Sequence, residues 1–412
     1  NGGPTIFTYT PPAAAGSMYM LIPGEGLLCI NGIYVTNGTG TIRNNGSGLL
    51  TLSGGLSKNG TTLTLQGGSN GITVSGAITG SAANSDLVID GGTVTLASAN
   101  SYNGPTSLIN GATLNANAVN ALPTANGRTA ISMDATGTGG STLSLGANQS
   151  VASLTGVASS NITLGSNSLT IGTTSGNTTF AGRIRGSGYL VKDGASKQVL
   201  SGNSTFTGAV TINGGILEAA NTKALGSNNT VQVNGGTLLV SADDAINGKN
   251  ITLNTNGVGL RFSGTYNGSI GLLTLSANST LDLGTGSVLA MFSDIDFSGY
   301  NLKIYNWTGV TLWGGTNRNN TDQVYIMAPV DPDDLDRISF YSGDYGSDSF
   351  LGTGFELGLG SGFENQIIPV PEPETYATGI LLVLGGAWWM FKRNRKAHAG
   401  ESDSCSHGTP LP

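Results

Sequence analysis

Residues 1 to 397 contain no histidine, since both histidines of the chain, His398 and His407, lie near its end. That excludes Ser-His-Asp and Cys-His arrangements from the body and removes the usual base of neutral pH. The carboxylates that remain cluster in two places. Asp294 and Asp296 stand two apart and share one face of a strand. Such a pair suits a glycosidase or polysaccharide lyase only if a partner acid or base faces it across a cleft, and is otherwise a solvated strand face. Asp331-Pro332-Asp333-Asp334-Leu335-Asp336 offers carboxylates to calcium but lacks the ligand spacing and glycine of an EF-hand loop. Asp331 as N-cap, Pro332 at N1 and acids in the first turn predict a short helix there instead. Arg183, Arg185 and Lys192 are the one positive cluster of the body and read as loop decoration. Trp307 and Trp313 are the aromatics best suited to stack on a sugar ring, the alternative being core packing. With two cysteines, Cys29 and Cys405, and no Cys/His spacing for zinc, neither a disulfide scaffold nor a metal site is expected. Nor is a cofactor or a catalytic residue.

The elements that carry these side chains are short. The chain has 66 glycines in 412 residues and only 10% charged residues, with 38% hydrophobic ones, a composition of many brief strands joined by Gly/Asn turns. Thr62-Leu63-Thr64-Leu65, Thr93-Val94-Thr95-Leu96 and Leu169-Thr170-Ile171 alternate with period two and are bounded by Gly- or Asn-containing turns, so each buries one face. Charge is uneven: residues 1 to 290 hold 10 Lys/Arg against 9 Asp/Glu, whereas 291 to 391 hold 3 against 13. An acidic balance of this kind excludes nucleic acid as a partner.

A long internal repeat organises the body. Leu87-Val88-Ile89-Asp90-Gly91 returns as Leu190-Val191-Lys192-Asp193-Gly194, and Ile109-Asn110-Gly111 as Ile212-Asn213-Gly214. Leu114, Ala116, Ala121 and Leu122 return as Leu217, Ala219, Ala224 and Leu225, while Tyr102 before Gly104 matches Phe206 before Gly208. Recurrent turns at long regular spacing point to stacked rungs, each leaving its apolar face open until a neighbour covers it. The unit resembles the autotransporter-associated β-strand repeat, in two copies at 87 to 123 and 190 to 226. That resemblance implies a right-handed parallel β-helix exposed on a bacterial surface. The series of amphipathic strands that would form an outer-membrane barrel does not appear.

The last forty-odd residues differ in kind. Pro371-Glu372-Pro373 precedes an apolar run from Tyr376 to Phe391, with Trp388 and Trp389 near its end, and then the basic cluster Lys392, Arg393, Arg395 and Lys396. Sixteen residues of helix reach about 24 Å against a hydrocarbon core of roughly 30 Å, so the basic residues must snorkel. Indoles favour the interface and positive charge stays cytoplasmic, which places the body outside the inner membrane. This order resembles the PEP-CTERM sorting signal. The resemblance implies an exosortase-type membrane protease that cuts near Pro371-Glu372-Pro373 and passes the body to the cell surface. No export signal precedes the body from Asn1 onward, so one is expected upstream in the precursor.

The reading is therefore an all-β protein, a right-handed parallel β-solenoid with a β cap region and a single C-terminal transmembrane helix. Its expected divisions are an incomplete N-terminal β segment at 1–45, the repeat solenoid at 46–262, the cap at 263–342, a Gly/acidic linker at 343–368, the sorting signal at 369–396 and a polar tail at 397–412. Phe292, Phe297, Tyr300, Trp307 and Trp313 supply the bulk with which the cap would cover the open core. The expected function is that of a non-enzymatic, exported surface or matrix protein, structural or adhesive, anchored in the inner membrane before processing and meeting exopolysaccharide or surface glycan. The alternatives are a β-helical enzyme acting on extracellular polysaccharide and a permanently anchored binding module.

Overall fold

The computed structural model describes residues 28–30, 33–35, 40–45, 48–58, 60–134, 139–172, 176–227, 230–309, 322–346, 349–356 and 366–370. They form an all-β solenoid of the right-handed type with about 12 turns and one short helix. Triplets such as Leu-Thr-Leu at 50–52 and Ile-Thr-Val at 72–74 show why. The β-branched middle residue faces outward, and the two apolar neighbours point into the coil. One inward file, Leu50, Ile72, Val94, Leu114, Leu143, Ile162 and Ile184, is matched strand to strand in parallel register. Every member is buried. Each such side chain removed from water contributes about 1.5–3 kcal/mol, an upper bound against a compact unfolded chain.

Four columns of strands wall the coil. The first runs from Leu28–Ile30 to Arg183–Arg185, and a short second from Ile33–Val35 to Ser101–Tyr102. The third extends from Gly40–Arg43 to Ile338–Tyr341, over the whole described length. A fourth begins at Gln149–Val151 and ends at Gln323–Ile326. Successive turns place Leu50 beside Ile72, 22 residues on. The two copies of the repeat are 103 residues apart, Leu87 to Leu190, which is four such turns and about two-thirds of another. The second copy is accordingly rotated onto a different column: Leu87–Asp90 belongs to the third, Tyr189–Lys192 to the fourth.

Both copies nevertheless build the same local core. Tyr102 and Phe206 are fully buried, as are Leu114, Ala116, Ala121 and Leu122 and their counterparts Leu217, Ala219, Ala224 and Leu225. The glycine after each aromatic is required by close approach. A Cβ on Gly208 would stand 2.1 Å from the Gly188 carbonyl oxygen, and one on Gly104 2.6 Å from Ser85.

At the C-terminal end the pairing changes sense. Phe350–Glu356 runs antiparallel to Ile338–Tyr341, and Gln366–Val370 runs antiparallel both to Phe350–Glu356 and to Gln323–Ile326. The final strands of the two long columns are thus joined across the end of the coil. Residues 343–368, expected as an acidic linker, contain one of these strands and the start of the other. The reason is that a parallel stack leaves a row of unpaired N–H and C=O groups at its last turn, and these segments pair with them. Ile367 and Ile368 are buried in the cap. Gly354, which reads as a flexibility signal, instead permits contact, since a Cβ there would lie 2.9 Å from the Leu335 carbonyl oxygen. Of the residues expected to cover the core, Phe292, Phe297 and Trp307 are buried, Tyr300 is 39% exposed and Trp313 lies outside the described residues.

The helix predicted at the acidic cluster is present. It spans Pro332–Leu335, with the Asp331 side chain accepting from the Asp333 N–H at 3.0 Å. Among the described residues no helix is long and apolar enough to cross a membrane. The run Tyr376 to Phe391, expected to be the transmembrane helix, lies outside them.

Phe206→Ala removes a full aromatic side chain from a packed corner and is expected to cost about 3–5 kcal/mol in equilibrium urea unfolding. Tyr189→Ala, at a side chain 53% exposed, should stay within about 0.5 kcal/mol of the parent.

Candidate functional site

Trp307, read from the sequence as either a sugar-stacking ring or core packing, is buried in the structure. Trp307 is 2% exposed and packs edge to face on Phe340, with ring centroids 4.7 Å apart. Its backbone N–H donates to the Tyr341 carbonyl at 3.0 Å, which pins the residue beneath the cap. Area burial outweighs an interfacial role at this position. Trp313, the sorting residues Pro371, Glu372 and Pro373, and the membrane residues Trp388, Trp389, Lys392, Arg393, Arg395 and Lys396 all lie outside the described residues.

Asp294 and Asp296 do share an exposed strand face. Each is engaged locally: Asp294 accepts from the Ile295 N–H at 2.8 Å, and Asp296 from the Ser298 N–H at 3.0 Å and its hydroxyl at 2.9 Å. The one strand in register with them brings Leu272 and Thr274, not an acid or base. Arg183 and Arg185 are exposed and tie neighbouring turns together, donating to the Asn203 carbonyl at 3.1 Å and the Thr163 hydroxyl at 3.0 Å.

Lys192 is a different case from the arginines it was grouped with. It is buried, and its ammonium donates to the carbonyls of Asp193, Gly194 and Gly214 at 2.6, 3.1 and 3.2 Å. Lys58 is buried likewise, donating to the Ser85 carbonyl at 2.7 Å with its nitrogen 4.3 Å from the centre of the Tyr102 ring. Lys249 donates to the Gly226 carbonyl at 3.0 Å. Burial lowers all three amines, Lys58 to about 7 against the pull of Asp86, and Lys192 to about 8 against that of Asp193. These groups staple chain bends that strand pairing does not reach. A cue to Lys192 was present in the repeat, where it occupies the place of the buried Ile89.

Buried acids play the converse part. Asp322 accepts from the N–H of Val288, and from the N–H and hydroxyl of Thr308, at 2.7–3.0 Å. Burial nonetheless raises its pKa. Asp134 accepts from the Ser141 N–H and hydroxyl at 2.7 and 2.6 Å.

Exposed aromatic surface gathers instead on the outer wall beside the cap. Register places Arg261 next to Asp282 and Asp282 next to Tyr305 on successive turns, and Tyr305 stacks on Tyr341 with centroids 4.3 Å apart. Tyr345 meets Tyr305 edge-on at 5.4 Å, and Phe350 lies 5.6 Å from Tyr341 across the antiparallel pair. Tyr345 is 47% and Phe350 44% exposed. Arg261 and Asp282 form an ion pair at 2.7 Å, and Asn306 donates to Asp282 at 2.8 Å and to Asp344 at 3.2 Å. Sequence reasoning missed this file because Tyr305 and Tyr341 are 36 residues apart, far from the 22-residue interval of regular turns.

Two stretches of the chain, residues 89–116 and 190–219, match the family model of the passenger-associated transport repeat. They fall within the two copies found in the sequence. No curated protein and no solved structure matches the chain.

An unfolded lysine titrates near 10.4, so between about pH 7 and pH 10 the unfolded chain holds more protons than the folded one. Stability is expected to rise with pH across that window, as the buried ammonium groups lose their charge. In urea unfolding at a series of pH values, the double variant Lys58→Met/Lys192→Met should show a flatter profile than the parent.

Proposed function

We propose that this protein is an exported, non-enzymatic structural or adhesive solenoid of a bacterial surface or extracellular matrix. The observation that carries the reading is the stacked parallel coil with two stretches similar to the passenger-associated transport repeat. A stack in which each turn contacts only its neighbours can fold by adding turns to those already formed, which suits an exported chain. Its outer walls support a contact role. Thr51, Thr73, Thr95, Asn115, Ser144 and Thr163 follow one another on adjacent strands and turn polar, uncharged groups outward.

Delivery, in this reading, depends on the PEP-CTERM-like tail. The membrane run holds the precursor in the inner membrane, and an exosortase-type protease releases the body near Pro371-Glu372-Pro373. The absence of histidine from residues 1 to 397 and the local engagement of Asp294 and Asp296 favour contact over catalysis.

Mass spectrometry of the protein recovered from membrane and extracellular fractions tests this. A mature end near Pro371-Glu372-Pro373, with peptides from Trp388 to Pro412 missing from the extracellular form, is the expected result. Intact tail peptides confined to the membrane fraction would make the protein a permanently anchored module and sink the release step.

A further inference from the structure

The geometry points to a glycan-binding platform on the outer wall beside the cap, with Tyr345 and Phe350 as its stacking rings and a neutral polysaccharide as its ligand. The inference deepens the surface reading above by naming the class of polymer that the surface meets and where it does so.

Four observations carry it. The first is placement. Tyr345, Tyr305, Tyr341 and Phe350 form one continuous file, each ring in contact with the next, and the two end members remain close to half exposed. Inner rings that stack on one another hold the outer ones in fixed positions, so a ligand loses little freedom on the protein side. The second is the rim. The exposed Lys303 nitrogen lies 5.9 Å from the Tyr341 ring centre, and the Asn306 amide and Asp344 carboxylate meet at 3.2 Å beside it. A pyranose offers C–H groups on its face and hydroxyls around its edge. Aromatic planes rimmed by amide, carboxylate and ammonium groups match both.

Size is the third. An aromatic side chain presents roughly 150–250 Å² in all, so two rings at 47% and 44% exposure offer about 200 Å². That is well short of the roughly 800 Å² per partner of a stable protein interface. A chain of sugar rings needs no more. The fourth is charge. Residues 291 to 391 carry 13 acids against 3 bases, which disfavours a polyanion. Of the bases near the file, Arg261 is already paired with Asp282.

The test is affinity gel electrophoresis of the purified full chain in gels containing hydroxyethylcellulose, glucomannan or dextran, with alginate as the anionic comparison. At least one neutral polymer should retard the parent, and alginate should not. Tyr345→Ala/Phe350→Ala is expected to weaken that retardation at least tenfold, while Tyr345→Phe/Phe350→Tyr preserves it. Tyr189→Ala, another exposed tyrosine away from the cap, should behave as the parent. Melting temperatures of all variants are to be compared, so that loss of fold is separated from loss of stacking. Equal retardation of parent and double alanine variant, retardation by alginate alone, or none by any neutral polymer would overturn the proposal. Because the gel uses purified chain, it is independent of where the protein resides. Glycan binding together with an uncut tail would remove the release step and leave the platform standing.

Discussion

A strand in a parallel coil finds no hydrogen-bond partner in its own turn. Every N–H and C=O that points along the axis must be met by the turn above or the turn below, and this one requirement orders the rest of the molecule. It keeps the register constant, because slipping a strand by one residue turns its apolar side chains to solvent. It forces the corners to lie on top of one another, which is why Gly208 sits where a Cβ would meet the Gly188 carbonyl. It also makes the last turn a problem, since nothing follows to satisfy it. The antiparallel strands Phe350–Glu356 and Gln366–Val370 answer by reversing direction and linking the two long columns.

Corners pose a second demand. Where the chain bends, carbonyls leave the ladder while still buried, and an unpaired buried carbonyl costs about 1–3 kcal/mol. The protein meets them with side chains that reach inward. Asn100 accepts from the Ile78 N–H and donates to the Ala121 carbonyl, and Gln198 accepts from the Leu154 N–H and donates back to its carbonyl. Lys58 and Lys192 do the same with an ammonium, which has three donors but must be stripped of water. Lys192 uses all three on carbonyls, whereas Lys58 has one carbonyl and the face of Tyr102. The Tyr102 hydroxyl is in turn 2.7 Å from the Thr106 hydroxyl, so the charged corner continues into a polar chain inside the coil.

What could be read from the sequence follows from these two demands. Alternation at Thr93-Val94-Thr95-Leu96 reveals a half-buried strand because inward and outward residues differ in type, and the recurrence of Tyr102 as Phe206 reveals a corner that must be filled twice. The helix at Asp331 was legible for the same reason: its cap, its proline and its first-turn acids are all local. The column a strand joins was not legible, because a 103-residue offset is not a whole number of turns and local sequence carries no record of rotation. The cap strands were hidden by their glycines, which signal either mobility or close approach and cannot be told apart without the neighbour. Trp307 admitted both a stacking and a packing role, and Tyr345 and Phe350 drew no reading, because exposure at the end of a stack is decided by what packs over it. Trp307 is covered by Phe340, whereas the antiparallel strand Phe350–Glu356 brings Phe350 beside Tyr341 and leaves it 44% exposed.

That return bears on how the proposed release would work. Val370, the last described residue, is paired with Thr353, and Pro371 follows it directly in the chain. A cut at or beyond Pro371, the step proposed above, leaves Phe350–Glu356 and Gln366–Val370 in place. A cut ten residues earlier would strip Gln366–Val370 from both of its partners and leave the last turn of the fourth column unpaired. In the proposed release, a cut beyond Val370 would therefore leave the last turn covered by these two strands.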